Sequence, residues 1–247
     1  SYTKTLKYRP NYAEAYNNIG IAFKDKGNLD QAIDSYMQAL KIKPNYAEAH
    51  SNMGIALKEK GNLKAAIASY IQALKINPKY AKAYHNMGIS QKAKGDLDAA
   101  LDSYKKALNI EPNYAEVFIN IGNIQSDKGN LNSAIKSYKQ ALKIKPSYAE
   151  AFYNLGIAFK DKGDLDKAIN SFKQTLEINP DYAEAQHLLA CSTGKTTATA
   201  PRAYVEKLFD GYAHRFDHSL VNMLEYSTPR ILTEIIVENH SDGALGS

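Results

Sequence analysis

The chain has 247 residues, is 44% hydrophobic and 23% charged, and carries a formal net charge of +5. This is the composition of an ordinary globular chain, which excludes wholesale disorder. A single cysteine, Cys191, excludes an internal disulfide framework, and no apolar run reaches the roughly 18 residues a membrane span needs.

The opening stretch SYTKTLKYRP has no apolar signal-peptide core and no initiating methionine, so it reads as a cut through a longer chain. A reducing, cytoplasmic setting is the expectation. Charge is uneven. Residues 1–182 hold 26 Lys and Arg against 18 Asp and Glu, whereas residues 183–247 hold 5 against 8. Together with a change of texture near residue 190, this marks a boundary. The basic part has only one arginine, Arg9. Nucleic-acid surfaces favour arginine for bidentate contacts, so a nucleic-acid partner is not expected.

A period of 34 residues organises the chain. It appears in Pro10, Pro44, Pro78, Pro112, Pro146 and Pro180, each followed two residues later by a tyrosine. Two glycine ladders share it: Gly20, Gly54, Gly88, Gly122, Gly156 and Gly27, Gly61, Gly95, Gly129, Gly163. A fixed period of this length means stacked supersecondary units rather than one globular core.

Residues 1–12 align with residues 35–46, so they form the second half of a truncated repeat. Its uncapped face offers a route to self-association. In the unit 13–46, Tyr16, Ile19, Ala22 and Phe23 fall on one helical stripe. Gly27 stops that helix, with Lys24 and Lys26 in the last turn, where the dipole favours cations. A second helix starts after Asn28 as a cap and places Ala32, Ile33, Tyr36, Ala39 and Leu40 on its stripe, and Pro44 ends it. Each unit is therefore two antiparallel helices of about 14 residues, about 21 Å long. Units 47–80, 81–114, 115–148 and 149–182 repeat the pattern. A further helix opens at residue 183 and caps the array to residue 190, with Gln186, Leu189 and Ala190 in first-helix positions.

The pattern resembles the tetratricopeptide repeat, whose signature W-x2-L-G-x2-Y, A-x3-F-x2-A, P is filled by Tyr16, Ile19, Gly20, Phe23, Ala32, Tyr36, Ala39 and Pro44. The resemblance implies an all-α fold, a right-handed superhelical solenoid of antiparallel helix pairs. Gly20 and Ala32 with their equivalents would allow close helix approach, and Tyr36, Tyr70, Tyr104, Tyr138 and Phe172 would fill the seam between neighbours. The departures are Leu57, Gln91 and Gln125 where the signature aromatic belongs, and Thr175 for the last small alanine. The middle units then either pack less tightly or fill that place from the turn.

The resemblance implies a concave groove lined by the first helices, and hence a protein or extended peptide as partner, with no cofactor. Asparagine recurs at one groove position: Asn18, Asn52, Asn86, Asn120 and Asn154. An amide both donates and accepts, so such a ladder suits peptide backbone; the alternative is a role in helix contacts. A similar ladder lines the repeat arm of protein O-GlcNAc transferases, which makes the repeat arm of a glycosyltransferase one alternative. The preceding position varies as Asn17, Ser51, His85, Ile119 and Tyr153, which suits selective contacts or drift at an exposed site. Lys24, Lys58, Lys92 and Lys160 either complement helix dipoles or form a positive rim diluted by Asp25, Glu59, Asp127 and Asp161.

Residues 191–201 read as a linker. Its GKTT is no phosphate loop, because Leu189 stands where a glycine is required and a helix, not a strand, precedes it. Asp210, His214 and His218 share a helical spacing but lack a second ligand group, so no metal is assigned. The run YVEKLFDGYAHRFDHSL followed by LEYSTPRIL resembles the leading helices of bacterial S-adenosylmethionine-dependent methyltransferases that follow tetratricopeptide arrays. It implies that 202–247 is the helical start of a truncated domain and that the array selects substrates for such an enzyme. Ser219 departs from the expected histidine. DGALGS is not the cofactor turn, since no strand precedes it. No nucleophile–base or paired-carboxylate arrangement stands out, so no catalysis is expected of this chain.

Overall fold

The structure, a computed structural model, describes residues 12–194; residues 1–11 and 195–247 lie outside the described part. Nearly all of the stretch read as half a repeat, the tail resembling a methyltransferase and most of the segment read as a linker therefore fall outside it. The described residues form eleven helices and no strand. They are α1 (Ala13–Asp25), α2 (Leu29–Ile42), α3 (Ala47–Glu59), α4 (Leu63–Ile76), α5 (Ala81–Ala93), α6 (Leu97–Ile110), α7 (Ala115–Asp127), α8 (Leu131–Ile144), α9 (Ala149–Asp161), α10 (Leu165–Ile178) and α11 (Ala183–Ser192). Helices α1–α10 belong to one compact unit and α11 to another, with the boundary between Pro180 and Asp181.

Helices α1, α3, α5, α7 and α9 end in the same stop. Gly27 takes φ +78°, its N–H bonds to Lys24 O at 2.8 Å, and the N–H of Asn28 reaches Phe23 O at 2.9 Å. These are the paired closing bonds of a Schellman motif, which needs a left-handed residue just past the cap. The expected side-chain caps form only in part. Asn62 accepts from the Ala65 N–H at 3.2 Å, but Asn28 makes no side-chain cap. The backbone lock between the helices already fixes the turn.

Within a repeat, glycine and aromatic are made for each other. A Cβ on Gly20 would lie 2.5 Å from the Tyr36 ring, and the clash recurs at 2.4–2.7 Å for Gly54 and Tyr70, Gly88 and Tyr104, Gly122 and Tyr138, and Gly156 and Phe172. The aromatic thus sits first on its own repeat's glycine. It also meets the next repeat: Tyr70 clusters with Ala83 and Met87, and Tyr104 with Val117 and Ile124. Ala32, Ala66, Ala100, Ala134 and Ala168 are fully buried, where any larger side chain would push the helices apart.

One stripe residue departs from expectation. Ala22 is exposed, although its equivalents Ala56, Ser90, Ile124 and Ala158 are buried. Ala56 packs against Ala32 and Tyr36 of the preceding second helix, and no described helix precedes α1.

Odd helices touch one another, α1 with α3, α3 with α5 and α7 with α9. Successive elements approach most closely on the inside of a curve, so the odd helices form the inner face. The approach is looser between α6 and α7 than between α2 and α3, α4 and α5 or α8 and α9. Here Val117 stands where Ala15, Ala49, Ala83 and Ala151 stand elsewhere, and Ile124 where Ala56, Ser90 and Ala158 do. Both are fully buried, and their extra methyl groups hold the helices apart. The glutamines at the aromatic position are filled with polar partners. Gln91 accepts from Ser103 Oγ at 2.6 Å, and Gln125 accepts from Asn130 in the turn at 3.2 Å. Thr175 is buried, and its hydroxyl donates to Ser171 O at 3.0 Å.

Candidate peptide-binding face

The asparagine row runs along the odd helices. All five side chains, Asn18, Asn52, Asn86, Asn120 and Asn154, are partly exposed. Three of them reach across to the previous repeat. Asn52 donates to Asn17 Oδ1 at 3.0 Å, Asn120 Nδ2 lies 2.8 Å from His85 Nε2, and Asn154 donates to Asn123 Oδ1 at 3.3 Å. The first two bonds follow one rule, each asparagine meeting the side chain 35 residues earlier. Asn154 breaks the rule because Ile119 occupies that place and accepts nothing, so the amide turns to Asn123 instead. Asn86 would meet Ser51, yet its buried Nδ2 has no partner. In the bonded members the carbonyl Oδ1 stays available as an acceptor.

The variable position does not lie open to a groove. Asn17, Ser51, Ile119 and Tyr153 are all buried, at 4% exposure or less, and His85 is partly buried. These side chains form the seam between repeats. A second register meets them there: His85 Nδ1 lies 3.0 Å from the Tyr114 hydroxyl, 29 residues on, and Ser51 stands beside Tyr80 at the same offset. With Asn120 donating to Nε2, the proton of a neutral His85 sits on Nδ1 and is donated to Tyr114. Burial pushes the His85 pKa down to about 4; nearby Glu116 works against that shift, and Lys58 and Lys82 reinforce it. Sequence alone missed this because the contacts depend on offsets of 29 and 35, neither of which is the 34-residue repeat itself.

The lysine row is largely spent on acids. Lys24 pairs with Asp25 at 2.9 Å, Lys92 with Asp127 at 3.3 Å, and Lys160 with Asp161 at 3.9 Å. Lys58 makes no ion pair. The acid that Lys92 finds 35 residues on is replaced for Lys58 by Ala93. On the turn between the helices of a repeat, Lys60 bonds Asp30, Lys128 bonds Asp98 at 2.7 Å, and Lys162 bonds Asn132 at 2.8 Å, each across to the previous repeat.

Among the described residues no group of His, Cys, Asp and Glu could hold a metal ion, and no helix is long and apolar enough to cross a membrane. Asp210, His214 and His218 lie outside the described residues.

Stacked helix pairs with a polar inner face and buried seams of mixed apolar and polar side chains define a repeat scaffold. The chain belongs to the tetratricopeptide repeat family: the TPR repeat profile matches residues 21–61, 56–95, 90–127 and 122–163, and tetratricopeptide repeat profiles match 1–34 and 149–182. No curated protein matches the sequence. Among solved structures, the chain is similar to MamA, at 29% identity over 67% of this chain and 96% of that one, with a TM-score of 0.61. The fold is shared with YrrB, described as a TPR protein with an unusual peptide-binding site, at 23% identity over 76% and 97% of the two chains, TM-score 0.59. It is shared too with Pseudomonas aeruginosa pilF, at 18% identity over 89% and 96%, TM-score 0.67.

Proposed function

We propose that the chain is a protein-binding scaffold that holds an extended peptide segment along the inner face of α1, α3, α5, α7 and α9. The observation that carries this reading is the asparagine row. Five amides stand at one register on successive inner helices, and cross-repeat bonds orient three of them while leaving an acceptor oxygen for peptide N–H groups. A peptide-binding site in YrrB, which shares the fold, is consistent with it.

Asn86→Ala together with Asn18→Ala tests it cleanly. Neither side chain makes a hydrogen bond to another helix, so the melting temperature should hold. Affinity for a peptide selected on the immobilised chain should fall about 5- to 150-fold, at about 0.5–1.5 kcal/mol per lost bond. Unchanged affinity defeats the reading.

The tail motif at residues 204–232 carries a second reading, in which the array selects substrates for a methyltransferase encoded further along the same reading frame. It expects an apolar strand with a Gly-rich turn within the next 60 or so residues, the length of about two βα units. It also expects calorimetry to find no tight S-adenosylmethionine binding by the chain as it stands. A reading frame without that turn rejects it.

A further inference from the structure

Between Glu59 and Asp96 the sequence holds no acidic residue, while it holds Lys60, Lys64, Lys75, Lys79, Lys82, Lys92 and Lys94. This is one whole repeat length in an array where acids otherwise recur in every helix pair. The periodic pairings fail here one after another. Lys94 would find its acid at residue 64, but that residue is Lys64, so Lys94 turns to Asp96 instead. Lys58 would find its acid at residue 93, which is Ala93. The first turns of α1, α3, α7 and α9 carry Glu14, Glu48, Glu116 and Glu150, but α5 carries Lys82, a cation at the end of the helix where the dipole disfavours it. Glu111 holds the place of Lys43 in the Lys43–Glu14 pair, yet it makes no ion pair with Lys82.

Lys75 in the last turn of α4, Lys79 in the connecting turn and Lys82 in the first turn of α5 are all exposed, and none has an ion-pair partner. Seven positions along the chain, across one helix-to-helix turn, take the first to the third, so the three lysines cluster at one edge of the array. Local rules broken together at one place, without a compensating contact, point to a binding role.

We infer that the edge formed by Lys75, Lys79 and Lys82 docks an acidic, Glu- or Asp-rich segment of a partner protein. This rests on the scaffold reading above but on different residues. Complementary charge is what this surface offers, and three mobile ammonium groups suit carboxylates that vary in position. Nucleic acid fits less well. The described residues contain no arginine, and the nearby Tyr80 and Tyr84 are half-buried rather than free to stack on bases.

The probe is fluorescent poly-L-glutamate, titrated against the full chain at low and high salt. The wild type should bind, and binding should weaken steeply with salt. Lys75→Gln, Lys79→Gln and Lys82→Gln combined should weaken it about tenfold at low salt, with an unchanged helical circular dichroism signal. The charge-matched control, Lys26→Gln, Lys41→Gln and Lys136→Gln, alters exposed lysines elsewhere and should bind nearly as well as wild type. No binding by the wild type, an equal loss in both triple variants, or tighter binding of single-stranded oligothymidine would each overturn the inference. The Asn18 and Asn86 variant should still bind poly-L-glutamate, so the two readings fail separately.

Discussion

Asn120 Nδ2 and His85 Nε2 meet at 2.8 Å across the boundary between the third and fourth repeats, where α5 and α7 approach less closely than α1 and α3, α3 and α5 or α7 and α9. The bond spans a junction widened by Val117 and Ile124, and Tyr114 closes the other side of the imidazole at 3.0 Å. A polar bridge thus ties together the junction where bulkier apolar side chains fill a wider gap between the helices.

That bridge makes the array sensitive to acid. The His85 pKa is held down to about 4 in the fold and returns to about 6.5 when the chain unfolds. Below pH 6.5 the unfolded state takes up a proton the folded state refuses, so stability present at neutral pH is lost as pH falls towards 4. The loss is of order 2–3 kcal/mol, reduced by the ring's partial exposure. His50, also pushed down by burial, adds to it. Melting measured between pH 7 and 4 should show the drop. His85→Gln, which keeps a polar partner for Asn120, should show a smaller one. An identical pH profile in the variant would refute the assignment.

The two glycine ladders predict different responses to alanine. Gly54 faces the Tyr70 ring at 2.7 Å from an added Cβ, and a rigid buried ring cannot give way cheaply. Gly54→Ala should cost about 1–3 kcal/mol through overpacking. At Gly61 an added Cβ meets nothing within 4 Å, but φ is +84°. Gly61→Ala should cost about 1–2 kcal/mol through backbone strain alone. Shrinking the ring with Tyr70→Leu should lessen the Gly54→Ala penalty and leave the Gly61→Ala penalty untouched. Denaturant melts of the double variants separate the two mechanisms.

The helix pairs were legible in the sequence because the prolines, glycines and aromatics act within a repeat, where a spacing of three or four residues fixes the face. The seam was not. Ser51 and Ile119 look exposed on their own helices, and only the neighbour 29 or 35 residues away buries them. Whether Lys92 and Lys58 are spent or free depends likewise on the residue one repeat off. Lys92 has Asp127, while Lys58 has only Ala93. Such offsets follow from how repeats stack, and a single 34-residue unit does not contain them.

The aromatic ladder offers the last test, because its four tyrosines are chemically alike but differently satisfied. The Tyr36 and Tyr104 hydroxyls are buried with no hydrogen-bond partner, while the Tyr138 hydroxyl donates to Asn123 Oδ1 at 2.9 Å. Burial raises the pKa of all three, so each stays neutral across the ordinary range. An unpaired buried hydroxyl costs desolvation and returns nothing, so Tyr104→Phe should be neutral or stabilising. The fifth repeat already uses Phe172 at this place, fully buried against Gly156. Tyr138→Phe removes a made bond and should cost about 1 kcal/mol. Asn123 keeps Asn154 as a donor, which limits the loss. In an array of this size that difference is about 2–4 °C in melting temperature. Equal shifts for Tyr104→Phe and Tyr138→Phe would mean that the hydroxyls, not the rings, are interchangeable, and that the Asn123 bond contributes nothing.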